Sequence, residues 1–309
     1  MAAPFTLAHL SDVHLGPMPK GALWTDFATK RIIGWLSWEL RRKRLHDPAV
    51  AGLIARDIVA QNPDHIALTG DLVNIASPAE FPRGARWMER LSGPEHMSFV
   101  PGNHDTYVPF AWDEGLRHFA PWMEGEMRVR QVVTDDRVAA PFPFVRLRKS
   151  VALIGVNSGV PQSLRKAGGT VGEEQLESLA RVLRDLRERG YARVVMIHHP
   201  PLPGLAHLRK ELTDAAQLQD VLVAEGAELV LHGHNHLEML TLLETRFGRS
   251  HVFGVPSASM QAGSPHTPAG WNLYSITRQD GRWLTDVTVR SFDPETRTIF
   301  TKTQFSLST

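Results

Sequence analysis

Residues 230–236 read Val-Leu-His-Gly-His-Asn-His, which sets His232, His234 and His236 at alternate positions around one glycine. Imidazoles so spaced suit metal ligation, but three of them fix neither the number of ions nor the other ligands. Matching groups recur along the chain. Asp12 and His14 are again two apart, Gly70 precedes Asp71, Gly102 opens the run Asn103-His104-Asp105, and His198-His199 stands before two prolines. This is a set of oxygen and imidazole donors without sulfur, suited to borderline divalent ions such as Mn, Fe, Zn or Co. Asp12, His14, Asp71, Asn103, His104, Asp105, His198, His199, His234 and His236 offer more ligating groups than one tetrahedral zinc with an open position can use. They are about right for two metals, with Asp71 on its glycine turn as the natural bridge, because a carboxylate offers two oxygens.

Each of these groups follows an apolar run of strand length: FTLAHL before Asp12, HIALT before Asp71, MSFVP before Asn103, ARVVMI before His198 and AELVL before the triple histidine. Helical patterns lie between the runs, at about 48–61, 78–91, 173–189 and 214–225. Alternating strands and helices predict an α/β sheet, whose function gathers at the carboxyl ends of the strands. On an extended backbone, residues two apart point the same way and lie about 6.6 Å apart, so His234 and His236 would suit neighbouring ions. His232 would then be a supporting or core residue, and the glycines at 70, 102 and 233 would aim the next side chain through unusual φ values. The last third, 237–309, reads as strands and turns, expected to complete a second, mainly antiparallel sheet. The expectation is one domain over 1–309, a four-layer α/β/β/α sandwich of mixed sheets, with a helical cap inserted at 17–46.

At 309 residues and 42% hydrophobic the chain can bury a full core. A net charge of +1 gives no argument for nucleic acid as a partner. The absence of cysteine excludes disulfides, zinc–thiolate sites and a thiol nucleophile. The first residues lack the basic segment and apolar run of a secretory signal, and no stretch is apolar for long enough to span a bilayer. The expected address is cytoplasmic. The remaining histidines, His46, His207 and His266 among them, read as surface or satisfied core residues.

Taken in order, Asp12-x-His14, Gly70-Asp71, Gly102-Asn103-His104-Asp105, His198 and Gly233-His234-x-His236 resemble the calcineurin-like metallophosphoesterase family. The resemblance implies one ion on Asp12, His14, Asp71 and His236 and a second on Asp71, Asn103, His198 and His234. It implies that His104 is a catalytic histidine that binds no metal, oriented by Asp105, and that His198 rather than His199 is the ligand of that pair. Two such ions activate a water for in-line attack on phosphorus. His104 would protonate the leaving group or stabilise charge on the phosphoryl oxygens.

The insert bears on the substrate. Over residues 24–46 a helix would place Ile32, Ile33, Leu36 and Leu40 on one face as a core or docking stripe, with Trp35 and Trp38 away from it. Lys30, Arg31, Arg41, Arg42, Lys43 and Arg44 make the segment strongly basic. One reading resembles the class III cyclic-nucleotide phosphodiesterases, in which Gly-Asn-His-Asp is usual; Arg165 and Lys166 would then meet a second phosphate or a ribose. Another resembles the UDP-2,3-diacylglucosamine pyrophosphatases of lipid A synthesis, with the basic, tryptophan-bearing segment as an acyl or membrane contact. Against it, the commonest form of those enzymes has arginine where this chain has His104. A third, non-catalytic binding scaffold, is opposed by the intact ligand set.

Overall fold

The computed structural model describes residues 3–19, 29–127, 142–163, 166–261 and 267–309; Arg165 and His266 lie outside them. In chain order the strands are β1 (Phe5–Leu10), β2 (His65–Leu68), β3 (Met97–Phe99), β4 (Phe144–Arg148), β5 (Val151–Gly155) and β6 (Ala192–Met196). They continue with β7 (Leu229–His232), β8 (Met239–Thr245), β9 (Gly248–Gly254), β10 (Gly270–Gln279), β11 (Arg282–Asp293) and β12 (Thr298–Ser308). The α-helices are α1 (Thr29–Leu40), α2 (Pro48–Gln61), α3 (Phe81–Leu91), α4 (Glu173–Glu188) and α5 (Ala215–Glu225). Helix α2 shows how local sequence sets these limits. The Asp47 side chain accepts the Ala49 N–H at 2.8 Å, Pro48 occupies the first turn, and Asn62 closes the helix in the left-handed conformation at φ 47°.

The strands form two six-stranded sheets, ordered β12-β11-β10-β1-β2-β3 and β4-β5-β6-β7-β9-β8. Within the first, β1, β2 and β3 run parallel; within the second, β5, β6, β7 and β9 do. Alternation along the second sheet divides its side chains. Val151, Leu153, Val194, Met196, Leu229 and Leu231 face the first sheet and share a core with Leu7, Leu68 and Phe99, which α2 and α3 join through Ile54, Ile58, Phe81 and Met88. Ala152, Ile154, Val195 and Val230 turn the other way, onto Leu179, Leu183, Leu218 and Leu222 of α4 and α5. The result is the expected α/β/β/α sandwich, with the parallel strands buried on both faces.

The C-terminal strands depart from expectation. Rather than completing one sheet, they divide: β8 and β9 extend the second sheet from β7, while β10–β12 extend the first through antiparallel pairing of β10 with β1. Both parallel cores offer an open backbone edge that needs a partner, and the C-terminal segment fills one of each. A hairpin not anticipated from the sequence, β4–β5, turns through Lys149 at φ 52°.

In the insert, of the two readings of the apolar stripe, core and docking, the core one is excluded. Ile32, Ile33, Leu36 and Leu40 lie between 37% and 70% exposed, while Arg31 and Trp38 are buried. Polar anchoring decides the orientation. Arg31 donates to the carbonyls of Ile75 and Ala76 at 3.3 and 2.6 Å, and Gly34 lies so close to Ile75 and Tyr107 that any side chain there would collide. Trp38 packs on Gly16 and stacks on His46 with ring centroids 6.1 Å apart. No described helix is long and apolar enough to cross a membrane. Trp38→Ala should lower the unfolding free energy by about 3–5 kcal/mol in urea titrations, against less than about 0.5 kcal/mol for Leu40→Ala. Equal values would mean that α1 does not pack as described.

Candidate metal centre

The polar clusters follow β1, β2, β3, β6 and β7 within four residues of each strand end, so the two sheets deliver their side chains to one place. They do not arrive on extended backbone. Asp12 (φ 55°), His14 (44°), Asp71 (54°), His234 (69°) and His236 (57°) all lie in the left-handed region, which costs about 1 kcal/mol or more for each residue. Of the three histidines that opened the sequence reading, only His232 is on strand β7. It is buried, with Nδ1 3.1 Å from the Gly233 carbonyl.

Of the three glycines expected to supply unusual φ, only Gly70 does (φ 93°). Gly102 and Gly233 are required for space: a side chain at Gly102 would strike the Asp71 carboxylate, and one at Gly233 would strike Ser11 and Asp12.

Both carboxylates use one oxygen on a backbone amide and turn the other inward. Asp12 Oδ2 accepts the His234 N–H at 2.9 Å, leaving Oδ1 at 3.0 Å from His236 Nε2 and 3.9 Å from His14 Nε2. Asp71 Oδ1 accepts the His104 N–H at 2.8 Å, leaving Oδ2 at 3.8 Å from His14 Nε2 and 3.4 Å from His198 Nε2. Asp71 therefore faces both groups of donors through a single oxygen, rather than through two. On one side His14 and His236 bring their Nε2 atoms to 3.3 Å of each other. On the other, His198 Nε2 stands 3.2 Å from Asn103 Oδ1 and 3.3 Å from His234 Nδ1. His198 Nδ1 donates to the Thr69 carbonyl at 2.7 Å, which fixes its tautomer and turns Nε2 toward the cluster. His199 engages Ser158 Oγ and the Ala167 carbonyl through its two ring nitrogens, at 2.8 and 3.2 Å.

The electrostatics favour a cation. Burial alone would push both carboxyls up, but His236 holds Asp12 below the usual carboxylate range, and His198 with His104 holds Asp71 well below it. Burial works to lower His198, yet the Asp71 carboxylate lifts it to about 9. Desolvation drives His14 and His234 well down, so their ring nitrogens present lone pairs, and the buried His234 Nε2 has no hydrogen-bond partner. Close-set lone pairs and carboxylate oxygens fit a dinuclear divalent metal site.

Asp105 corrects a sequence expectation. Its carboxylate accepts the backbone N–H groups of Asp71 (2.7 Å), Leu72 (3.0 Å), Val73 (3.0 Å) and Gly102 (2.8 Å), and so ties the loop after β2 to the loop after β3. The His104 ring is oriented instead by the Asn74 carbonyl, 2.5 Å from Nδ1, and by stacking on Tyr107. Burial, then the Arg42 guanidinium, lowers His104 to about 3. Trp38 lies beneath the insert rather than in the cleft, and Trp35 is outside the cavity lining; Lys166 does line a hollow of about 220 Å³ beside His104.

Two residues escaped the sequence reading. His46 reaches His14 and His236 (ring centroids 4.5 and 5.6 Å away), and Arg42 Nη2 comes within 3.0 Å of His14 Nδ1. Neither has a motif around it, and both arrive from the insert.

Residues 5–238 match the family model for the calcineurin-like phosphoesterases. The chain belongs to that family. It is 25% identical over 292 residues to a probable cyclic nucleotide phosphodiesterase from Synechococcus, covering 93% of this chain and 92% of the relative. It is also 25% identical over 214 residues to the glycerophosphodiester phosphodiesterase GpdQ of Enterobacter lignolyticus, covering 66% of this chain and 68% of the relative. The fold is similar to a dimetal phosphatase from Danio rerio, with a TM-score of 0.65 and 12% identity over 99% of both chains. This calcineurin-like phosphoesterase is a metal-dependent phosphoester hydrolase. Asp105→Asn, which sets an amide N–H against backbone donors, should cost about 3 kcal/mol or more in chemical denaturation. His104→Ala should cost about 1 kcal/mol or less, and similar losses in both would refute the loop-tie role.

Proposed function

We propose that the chain hydrolyses a phosphodiester of a small, nucleotide-type substrate. The observation that carries the reading is Asp71 Oδ2, which faces His14 and His198, one from each group of donors. In this reading Asp12, His14, Asp71 and His236 hold one divalent ion, and Asp71, Asn103, His198 and His234 hold the other. Such a pair supplies Lewis acidity to the phosphoryl group and makes water acidic enough to yield hydroxide near neutral pH. The chain's own residues arrange the rest. Asn103 contributes a neutral oxygen, which keeps the centre positive enough to accept an anionic ester. His104 lines the cleft and commits Nδ1–H to the Asn74 carbonyl, which leaves Nε2 as its free nitrogen. A phosphoryl anion there offsets the Arg42 charge and lets Nε2 hold a proton for the leaving oxygen. The names of the two relatives, both phosphodiesterases, support the same class of bond.

A second reading, a lipid-linked pyrophosphatase with the insert as acyl or membrane contact, is favoured by one feature. The outward face of α1 carries Ile32, Ile33, Leu36 and Leu40, with Arg41, Lys43 and Arg44 exposed in the turn that follows. The burial of Trp38 removes one of the contacts it relied on.

Phosphorus NMR on manganese-loaded protein separates the two. Hydrolysis of 3′,5′-cyclic AMP alone supports the first; release of UMP from UDP-2,3-diacylglucosamine in detergent supports the second and overturns the first. Asp71→Ala should cost the second ion by elemental analysis and take turnover below detection. A variant that keeps two ions and full activity refutes the ligand assignment.

A further inference from the structure

The cleft beside the metal centre, a cavity of about 270 Å³, is lined by Arg42, Asp71, His104, Tyr107, His234 and His236 together with residues of α1. Arg42 enters it from the 3-10 turn Arg42–Arg44 that follows α1, outside every motif of the sequence. Its position is built. The guanidinium carbon lies 5.9 Å from the ring of Trp38, itself buried and stacked on His46, whose Nδ1 meets Ser259 Oγ at 2.9 Å. Arg42 thus rests on a chain of packed groups running back to the loop after β9.

What the guanidinium meets at its other end is chemically incomplete. Nη1 is 3.2 Å from His104 Nδ1, but that nitrogen already donates to the Asn74 carbonyl and has no lone pair to offer. Nη2 is 3.0 Å from His14 Nδ1 and 3.2 Å from His14 Nε2, yet a neutral imidazole offers a lone pair on only one of the two, so at most one of these contacts is a hydrogen bond. A guanidinium has five donors and no acceptor. Lys30, in the adjoining hollow, differs: it donates to the Gln162 carbonyl at 2.8 Å and lies 4.4 Å over Tyr107.

The charge balance points the same way. Two divalent ions and Arg42 together outweigh the two carboxylates that face them, so an anion must share the cleft when the centre is loaded. A tetrahedral phosphoryl group provides it, and its paired oxygens match the guanidinium fork.

We propose that Arg42, delivered by the insert, is a catalytic residue that clamps the non-bridging oxygens of the phosphoryl group opposite the metal ligands. This rests on the hydrolase reading and adds to it a role for the insert: the segment completes the phosphate site. The clamp is independent of the leaving group, so it holds for a phosphodiester and for a pyrophosphate alike.

The test uses the full chain loaded with manganese, and Arg42→Lys and Arg42→Gln variants loaded alike. Elemental analysis reads the ions, calorimetry reads orthophosphate binding, and bis(p-nitrophenyl) phosphate reads turnover. Both variants should keep two ions. Orthophosphate affinity should fall about tenfold or more in Arg42→Gln and by less in Arg42→Lys, and kcat should fall about 10²-fold in Arg42→Gln. Phosphate affinity within twofold of the parent, with two ions in place, overturns the clamp and leaves the hydrolase reading standing. Loss of an ion from both variants also overturns it, since Arg42 would then be a support for His14. A parent chain that holds no ions removes the hydrolase reading, and the clamp with it.

Discussion

Asp12 and Asp71 are withdrawn from water at the meeting of two sheets, each with one oxygen on a backbone amide and the other facing imidazole nitrogens. An ionised carboxylate so placed costs several kcal/mol unless positive charge meets it. The surrounding groups answer that demand in graded ways. His198 is lifted to about 9 by Asp71, so its proton serves as a local counter-charge. Arg42 adds a fixed one. His14 and His234 stay neutral through burial, which leaves lone pairs where a cation would be welcomed. On the proposed ligand assignment, an ion at His198 would have to displace that proton, which would couple loading to proton release.

Convergence of so many donors is obtained with backbone conformations that a chain avoids elsewhere. Left-handed φ at Asp12, His14, Asp71, His234 and His236 amounts to several kcal/mol of local strain. It persists because neighbouring hydrogen bonds leave no alternative: Asp12 N–H to the Gly70 carbonyl and His14 N–H to the Asp71 carbonyl, both at 3.0 Å. Asp105 adds a further restraint, since one buried carboxyl group organises amides from two loops. Its place beside Asn103 and His104 in the motif is therefore structural, and it acts on the centre through the backbone of Asp71.

Much of this was legible in the sequence, for a physical reason. A strand that ends in a ligand carries its own signature, an apolar run cut short by Asp, Asn or His, and such runs located β1, β2, β3, β6 and β7 along with the donors. The β4–β5 hairpin also runs into a polar residue, Asn157, but that asparagine belongs to none of the motifs and so does not mark the strand. What spacing could not show was direction. Residues two apart on a strand share a face, but the strands stop at Leu10 and His232, and the donor side chains beyond them obey turn geometry. Asp105 was misread because adjacency in sequence says nothing about which amides a carboxylate meets. Arg42 and His46 stand in a basic run with no pattern to mark them, and only the packing of Trp38 brings them to the centre.

The insert shows why the apolar stripe that periodicity located is not core. Four apolar residues on one helical face normally turn inward, at about 25 cal/mol for each Å² buried. On α1 that face points out, because the opposite one makes bonds that cannot be made elsewhere: Arg31 caps the carbonyls of Ile75 and Ala76, and Gly34 allows the close approach to Ile75 and Tyr107. Turning the helix over would take Arg31 away from the buried Ile75 and Ala76 carbonyls and put a bulkier surface where Gly34 allows close approach. The loop that α1 grips through Ile75 and Ala76 is the one whose Asn74 carbonyl orients His104 and whose first residues Asp105 binds. Insert, orienting carbonyl and inward-facing carboxylate thus share one short segment, residues 71–76, so the insert reaches His104 through this backbone as well as through Arg42 in the cleft.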